Sequence, residues 1–433
     1  MVRGLAAGGY MLAALLCVEV AAFGQGFAAP PTQRMLAPLG LERMWWGQAT
    51  IDSTRDKVRH IVADEEIVIV QGTAGLTTCF DAETGKKLWD TYLGRQDDPS
   101  FPAITNDEYV LAVVGMTLYG VNKRNGDIVW QVSLPTHPST SPSADQERVY
   151  IGALDGSLYA FDLRKIKQLY NENLLPQWSH ETQAWRYKTA KEVTAPAVSD
   201  GVRVSFASMD RSLYTVSANR RKLIFQFETD APIATALASM DNWIYLASQD
   251  QNFYCINSLN GQIRWHFISG SPIRTNPMLV NRRIYLMPER GGMFCINADN
   301  GREIWKRPKL TDFIATSRSF VFATDDAANL AVLDLATGVP RGYLSMRAFP
   351  KRIHNTRSDR VFMASESGLV IALRERGREF PDYFEFPEKR PIVPLVAPEE
   401  PVATPQPEAT EGATEAPPKD DAAKDNSNES TEQ

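Results

Sequence analysis

Short apolar runs alternate with polar residues along most of this chain, at a period of two. In VYIGALDGSLYAFD (residues 149–162), two such runs flank Asp155-Gly156. Alternate positions line one face of a strand. Asp-Gly between alternating runs marks a two-residue hairpin, whose central residues both need positive φ. Runs with Pro or small residues precede such pairs, as in FPAIT from Phe101, TAPAV from Thr194 and TNPML from Thr275. No segment carries a long 3.6-residue period. The pattern predicts four short strands per unit and no long helix.

The units recur. CFDAETGKKLW (residues 79–89), GVNKRNGDIVW (120–130), CINSLNGQIRW (255–265) and CINADNGREIW (295–305) share one frame. A small residue stands first, Asp or Asn third, Gly seventh and Trp eleventh. Trp89 and Trp130 are 41 residues apart, and Trp265 and Trp305 are 40 apart. Residues 215–225 keep the frame with Arg221 in the glycine slot and Phe225 in the tryptophan slot. Residues 332–342 keep Asp334 and Gly338, but the aromatic residue moves to Tyr343. Trp185 follows Trp130 by 55 residues, so one unit carries an insertion near residues 164–184.

Four-stranded units at this period are propeller blades. A blade cannot close its own core, so a large aromatic side chain on each outer strand is expected to dock between neighbours. The docking positions are Trp89, Trp130, Trp185, Phe225, Trp265, Trp305 and Tyr343. Gly85, Gly126, Gly261, Gly301 and Gly338 make the turns that aim them. An eighth segment, RIHNTRSDRVFMASESGLVIAL (352–373), has three strands and no Trp. LERMWWGQA (41–49) supplies the missing outer strand, with Trp45 or Trp46 available to dock and Trp46 assigned. The expected architecture is all-β: an eight-bladed β-propeller of four-stranded antiparallel blades, its ring closed by an N-terminal strand. A seven-bladed ring with a loose end is the competing count.

The docking frame resembles the tryptophan-docking motif of the pyrroloquinoline quinone (PQQ) propeller repeats, over about residues 41–373. The resemblance implies the fold more than any chemistry. One branch of that superfamily holds PQQ and calcium in the central channel for oxidation. Another branch, including the BamB-type lipoprotein of outer-membrane β-barrel assembly, is a non-catalytic binding scaffold. The enzymes place a vicinal Cys-Cys pair over the quinone, and no such pair occurs here. No Asp or Glu stands at the starts of the inner runs around Pro102, Pro142, Pro196, Thr235, Thr275 or Thr316. The resemblance therefore carries over the fold and docking residues, with no catalytic, cofactor-binding or metal-binding residue. No cofactor is expected, and PQQ with calcium is disfavoured.

The ends change the picture of the compartment. Arg3, an apolar run over residues 10–18 and small residues through Ala29 read as a secretory signal over residues 1–29. The run is too short to span a membrane. Cys17 lacks the small preceding residue expected beside a lipidated cysteine. From Pro381 prolines recur. Residues 399–433 hold ten Asp or Glu and two Lys, a net −8 against −6 for the whole chain. Such a segment cannot bury enough apolar surface to fold. The expected division is signal (1–29), propeller (30–380) and acidic tail (381–433). The acidity belongs to the tail, and the charge gives no reason to expect a nucleic-acid partner. Cys79, Cys255 and Cys295 occupy the first slot of the frame and read as small buried residues. The five histidines are scattered and show no metal-ligand spacing.

Two regions are candidate sites. Insertions in repeat arrays map to loops, often on a binding face. The insertion LRKIKQLYNENLLPQWSHETQAW (163–185) carries Tyr170, Leu174, Leu175 and Trp178, which must pack on the disc or on a partner. Arg59, Arg274, Arg352, His354 and Arg357 lie near the starts of inner strands, where an anion could sit. The expected protein is a monomeric, non-catalytic scaffold of the periplasm or cell envelope that binds other envelope proteins and keeps no transmembrane span after processing. The alternatives are a PQQ-dependent oxidoreductase and a small-ligand sensor using the channel.

Overall fold

The computed structural model describes residues 28–387. The expected signal up to residue 27 and the tail from residue 388 lie outside them. The described chain forms eight four-stranded antiparallel sheets. Blade 1 runs from Val58–Ala63 to Lys87–Tyr92, blade 2 from Ile104–Thr105 to Ile128–Ser133, and blade 3 from Ser143–Ala144 to Gln183–Lys188. Blades 4 to 7 follow in order and end on the outer strands Leu223–Glu228, Ile263–Ile268, Glu303–Arg307 and Pro340–Ser345. Blade 8 is assembled from both ends. Lys351–Arg352, Val361–Ala364 and Leu369–Glu375 are completed by Leu41–Gln48. That last pairing runs from Leu41 opposite Glu375 to Gln48 opposite Leu369.

Burial follows position in the blade. Second strands such as Ile67–Gly72 and Tyr109–Val114 are buried at every residue, because neighbouring blades cover both faces. Outer strands are mostly exposed, and in Lys87–Tyr92 only Trp89 is buried. The core is therefore a ring of inter-blade clusters. One joins Trp45, Val68, Phe80, Phe362 and Ala372 across blades 8 and 1.

Docking uses a hydrogen bond that the sequence motif does not announce. Trp45, Trp89, Trp185, Trp265 and Trp305 donate Nε1–H to the carbonyls of Ala82, Lys123, Ala218, Ala298 and Leu335, at 2.6 to 3.3 Å. Each acceptor is the fourth residue of the next unit's frame. The ring also lies on the turn of that next unit. Gly301, at φ 70°, sits under Trp265, and any Cβ there would overlap the indole. Gly85, Gly126, Gly261 and Gly338 sit likewise against Trp45, Trp89, Phe225 and Trp305. The glycine thus receives the preceding blade's ring, besides turning the chain toward its own. Asn297 Oδ1 holds the turn by accepting from the N–H groups of Asp299 and Asn300.

Several expectations need correction. Trp45, not Trp46, docks: Trp45 is 7% exposed and Trp46 54%. A β-bulge between Arg43 and Trp45 moves the register by one residue and puts Trp45 opposite Ala372. Tyr343 is half exposed. Leu39, on a short helical turn before the N-terminal strand, covers Gly342 in its place. Trp130 is buried, yet its Nε1 has no hydrogen-bond partner among the described residues. The carbonyl equivalent to the usual acceptor belongs to Leu163, which opens a helix, so Trp130 packs with Tyr109, Leu163 and Ile166. In the Asp155-Gly156 hairpin only Gly156 has positive φ. Gly156 N–H bonds Ala153 O and Ala153 N–H bonds Ser157 O, a longer loop closed by a glycine bulge. The chain also stays packed past the expected boundary at residue 381: Tyr383 is buried and its hydroxyl donates to Glu65 O at 3.0 Å.

Candidate functional site

The insertion in blade 3 folds as a helix, Leu163–Asn171, and a 3-10 turn, Ser179–Thr182. Asp162 caps the helix by accepting from the N–H groups of Arg164 and Lys165. Leu163, Ile166 and Leu169 face inward, and Leu163 and Ile166 join the cluster between blades 2 and 3. Lys167 pairs with Glu108 of blade 2 at 2.6 Å. The insertion thus packs on its own disc. Leu175 packs against the same cluster and Leu174 is half buried. Tyr170 and Trp178 point outward, 43% and 42% exposed. Trp178 stacks on His180 with centroids 5.7 Å apart. The site combines an aromatic surface with a fixed backbone, which suits recognition of another protein.

Four of the five predicted basic residues come together. Arg59 lies on the innermost strand of blade 1. Arg352 lies on the innermost strand of blade 8, and His354 and Arg357 follow it. All four line one cavity of about 450 Å³, together with His60 and Lys351, which sequence reasoning passed over. Arg274 is elsewhere, paired with Glu289 at 2.7 Å. Two of the basic residues face acids. His354 lies 3.0 Å from Asp312, and Arg357 lies 3.2 Å from Glu385 and 3.6 Å from Glu65. Arg59 donates to Asp98 O and to Ser100 Oγ. His60 Nε2 sits 2.9 Å from Ser100 O, so that nitrogen carries the proton. Burial lowers the His60 pKa, Arg59 and Lys351 lower it further, and the Ser100 carbonyl opposes them. Burial also lowers the pKa of Arg352, against the pull of Asp312 and Asp325.

The remaining candidates for chemistry are quiet. Cys79, Cys255 and Cys295 are buried and unpaired. Burial pushes the Cys255 thiol up to about 12 and Cys295 to about 11, against the opposing pull of Arg264 and Arg283. Neither supplies a thiolate near neutral pH. Among the described residues no group of His, Cys, Asp and Glu forms a metal cluster, and no helix is long and apolar enough to cross a membrane.

Comparison with known proteins bears on this geometry. Residues 43–180 and 177–379 match the family model described as outer membrane protein assembly factor BamB. Among solved structures, the fold is similar to BamB from Moraxella catarrhalis, with a TM-score of 0.59 and 14% identity, covering 78% of this chain and 98% of that one. It is equally similar to the computationally designed protein Ika8, with a TM-score of 0.59 and 15% identity, covering 75% of this chain and 99% of that one. Similarities this remote show the fold alone. A stretch of 96 residues is 30% identical to tetrathionate hydrolase from Acidithiobacillus ferrooxidans. That stretch is 21% of this chain and 19% of the hydrolase.

Proposed function

This chain belongs to the family of outer membrane protein assembly factor BamB, and from that premise we propose that it is a non-catalytic propeller scaffold of the cell envelope. It binds other envelope proteins and acts by presentation: the docked blades hold the disc rigid, and loops on it offer side chains at fixed positions. The observation that carries this reading is the blade 3 insertion, anchored by Leu163, Ile166 and Leu169 while Tyr170 and Trp178 stay in solvent. An aromatic pair on a fixed backbone loses little freedom on binding.

The test is cross-linking of the intact protein in envelope extract, comparing the wild type with Tyr170→Ala/Trp178→Ala. A partner captured by the wild type and lost by the folded double variant supports the reading. Equal capture by both removes the insertion as the contact. The catalytic alternative has the short similarity to a hydrolase behind it. Incubation with PQQ and calcium, followed by dye-linked oxidation of an alcohol or sugar, tests the oxidoreductase form directly, and turnover there would displace the scaffold reading.

A further inference from the structure

We infer that the cavity between the innermost strands of blades 8 and 1 binds a small organic anion carrying two or more carboxylate or phosphate groups. Charge balance gives the first argument. Asp312 answers His354, and Glu65 and Glu385 answer Arg357. Lys351 and Arg352 have no carboxylate within ion-pair distance among the described residues, and Arg59 meets only a carbonyl and a hydroxyl. Three cations without an ion pair among the described residues therefore converge from two adjacent strands, Val58–Ala63 and Lys351–Arg352, with Asp312 and Asp325 acting on Arg352 only at longer range. Such an array in a concave wall concentrates anions.

The second argument is a donor without an acceptor. Arg352 Nε is buried and has no hydrogen-bond partner among the described residues. A desolvated guanidinium N–H left unmet is unfavourable, and an anionic oxygen meets it with a charge-assisted bond. The third argument is size and lining. About 450 Å³ is the scale of a small-molecule pocket. Ile61, Ile353 and Pro102 line it beside the cations. An apolar wall with converging cations fits an organic acid or organic phosphate better than a folded partner. His60, held as a donor to Ser100 O, adds polarity without adding positive charge near neutral pH.

The test is titration calorimetry on the full chain at physiological salt with two probes, citrate and pyrophosphate. One site per chain is expected for at least one probe, and which probe binds tells carboxylate from phosphate recognition. Lys351→Gln and Arg352→Gln should each weaken it by ~10-fold, as removal of one charge-assisted contact does. Arg274→Gln, outside the cavity, should leave it unchanged. Melting curves confirm that each variant is folded, and Lys351→Gln carries the test if the half-buried Arg352 proves necessary for folding. Absence of binding by both probes overturns the inference. So does binding that survives both substitutions, or binding of a glutamate-rich peptide with neither small anion bound.

Discussion

Blade 6 and blade 8 make the same sheet by different means. Blade 6 is one continuous segment. Trp265 of blade 5 meets it by donating to Ala298 O and resting on Gly301, and Trp305 meets blade 7 through Leu335 O and Gly338. Blade 8 keeps that contact, with Trp45 on Gly85 and Ala82 O, and adds others that no unit repeats. Arg374 pairs with Glu42 at 2.6 Å across the two chain ends. Leu36 and Leu39 fill the core between blades 7 and 8. Residues 378–385 then strap the seam. Arg360, 1% exposed, donates to the carbonyls of Arg378 and Glu379 and pairs with Glu83 of blade 1 and with Asp359. Arg318 of blade 7 holds Asp382 at 2.6 Å. Where the backbone runs on from strand to strand, one aromatic ring and one turn suffice. Where it does not, directional polar contacts are added to the apolar packing across the seam.

Deleting residues 41–48 should be the severest break of this comparison. It exposes the edge of Leu369–Glu375 and empties the site of Trp45, so the cooperative transition in thermal unfolding followed by circular dichroism should disappear. A normal melt would mean that blade 8 stands without its N-terminal strand. Arg360→Ala comes next, with an expected loss of ~3–5 kcal/mol by chemical denaturation, since Glu83 and Asp359 would lose their buried partner. Blade 6 has no counterpart to that effect. Trp305→Ala and Trp45→Ala, at rings 6% and 7% exposed, should then give matching losses of ~3–5 kcal/mol, as buried aromatic truncations do. Unequal values would show that docking at the seam differs in kind.

A subtler distinction lies in pH. Burial raises the Asp359 carboxyl to about 6, despite the nearby Arg360 guanidinium and helped by Asp382 and Glu83. In the unfolded chain the group titrates near ~4. Between those values the folded state holds a proton that the unfolded state releases. The stability contribution from Asp359 therefore rises as pH falls from 6 toward 4, and the full penalty stands above 6. Asp359→Asn should remove that slope from a stability profile, while Trp265→Ala should shift the profile without changing it. The smallest effect is expected for Trp46→Ala. Its exposed ring should be worth within ~0.5 kcal/mol of nothing in the same denaturation assay, in contrast to its neighbour Trp45.

The blades and their number could be read from the sequence because each unit repeats the same solution. Gly301 and Trp265 are 36 residues apart, yet the frame places both, since every neighbour meets the same need. The count of eight came from a deficit, the absent Trp after Leu373. What could not be read was specific to the seam. A single bulged residue exchanged Trp46 for Trp45. Tyr343 lost its place to Leu39, some three hundred positions earlier, and no local pattern reports such a partner. Arg360 looks like a surface charge in SDRVF and is among the most buried side chains. Of the basic cavity, Arg59, Arg352, His354 and Arg357 were visible from their place at inner strand starts. Their neutralising acids Asp312, Glu65 and Glu385 belong to other strands and loops, so which cations stay uncompensated emerged only from the three-dimensional arrangement.

The split blade also places an order on events in time. The strand that completes it is made long before its partner, which follows after about three hundred more residues, as the 332-position separation of Glu42 and Arg374 records. Until then seven blades can stack on one another from neighbour contacts alone, each addition a local event. The last pairing is a long-loop closure, slow because its entropy must be met before its contacts form. Throughout that interval residues 41–48 present an unpaired, partly apolar strand on a protein otherwise close to finished. The ring therefore behaves as a latch that engages only once the whole blade array has been translated, and a chain cut short before Leu369 keeps that strand open to any other edge it meets.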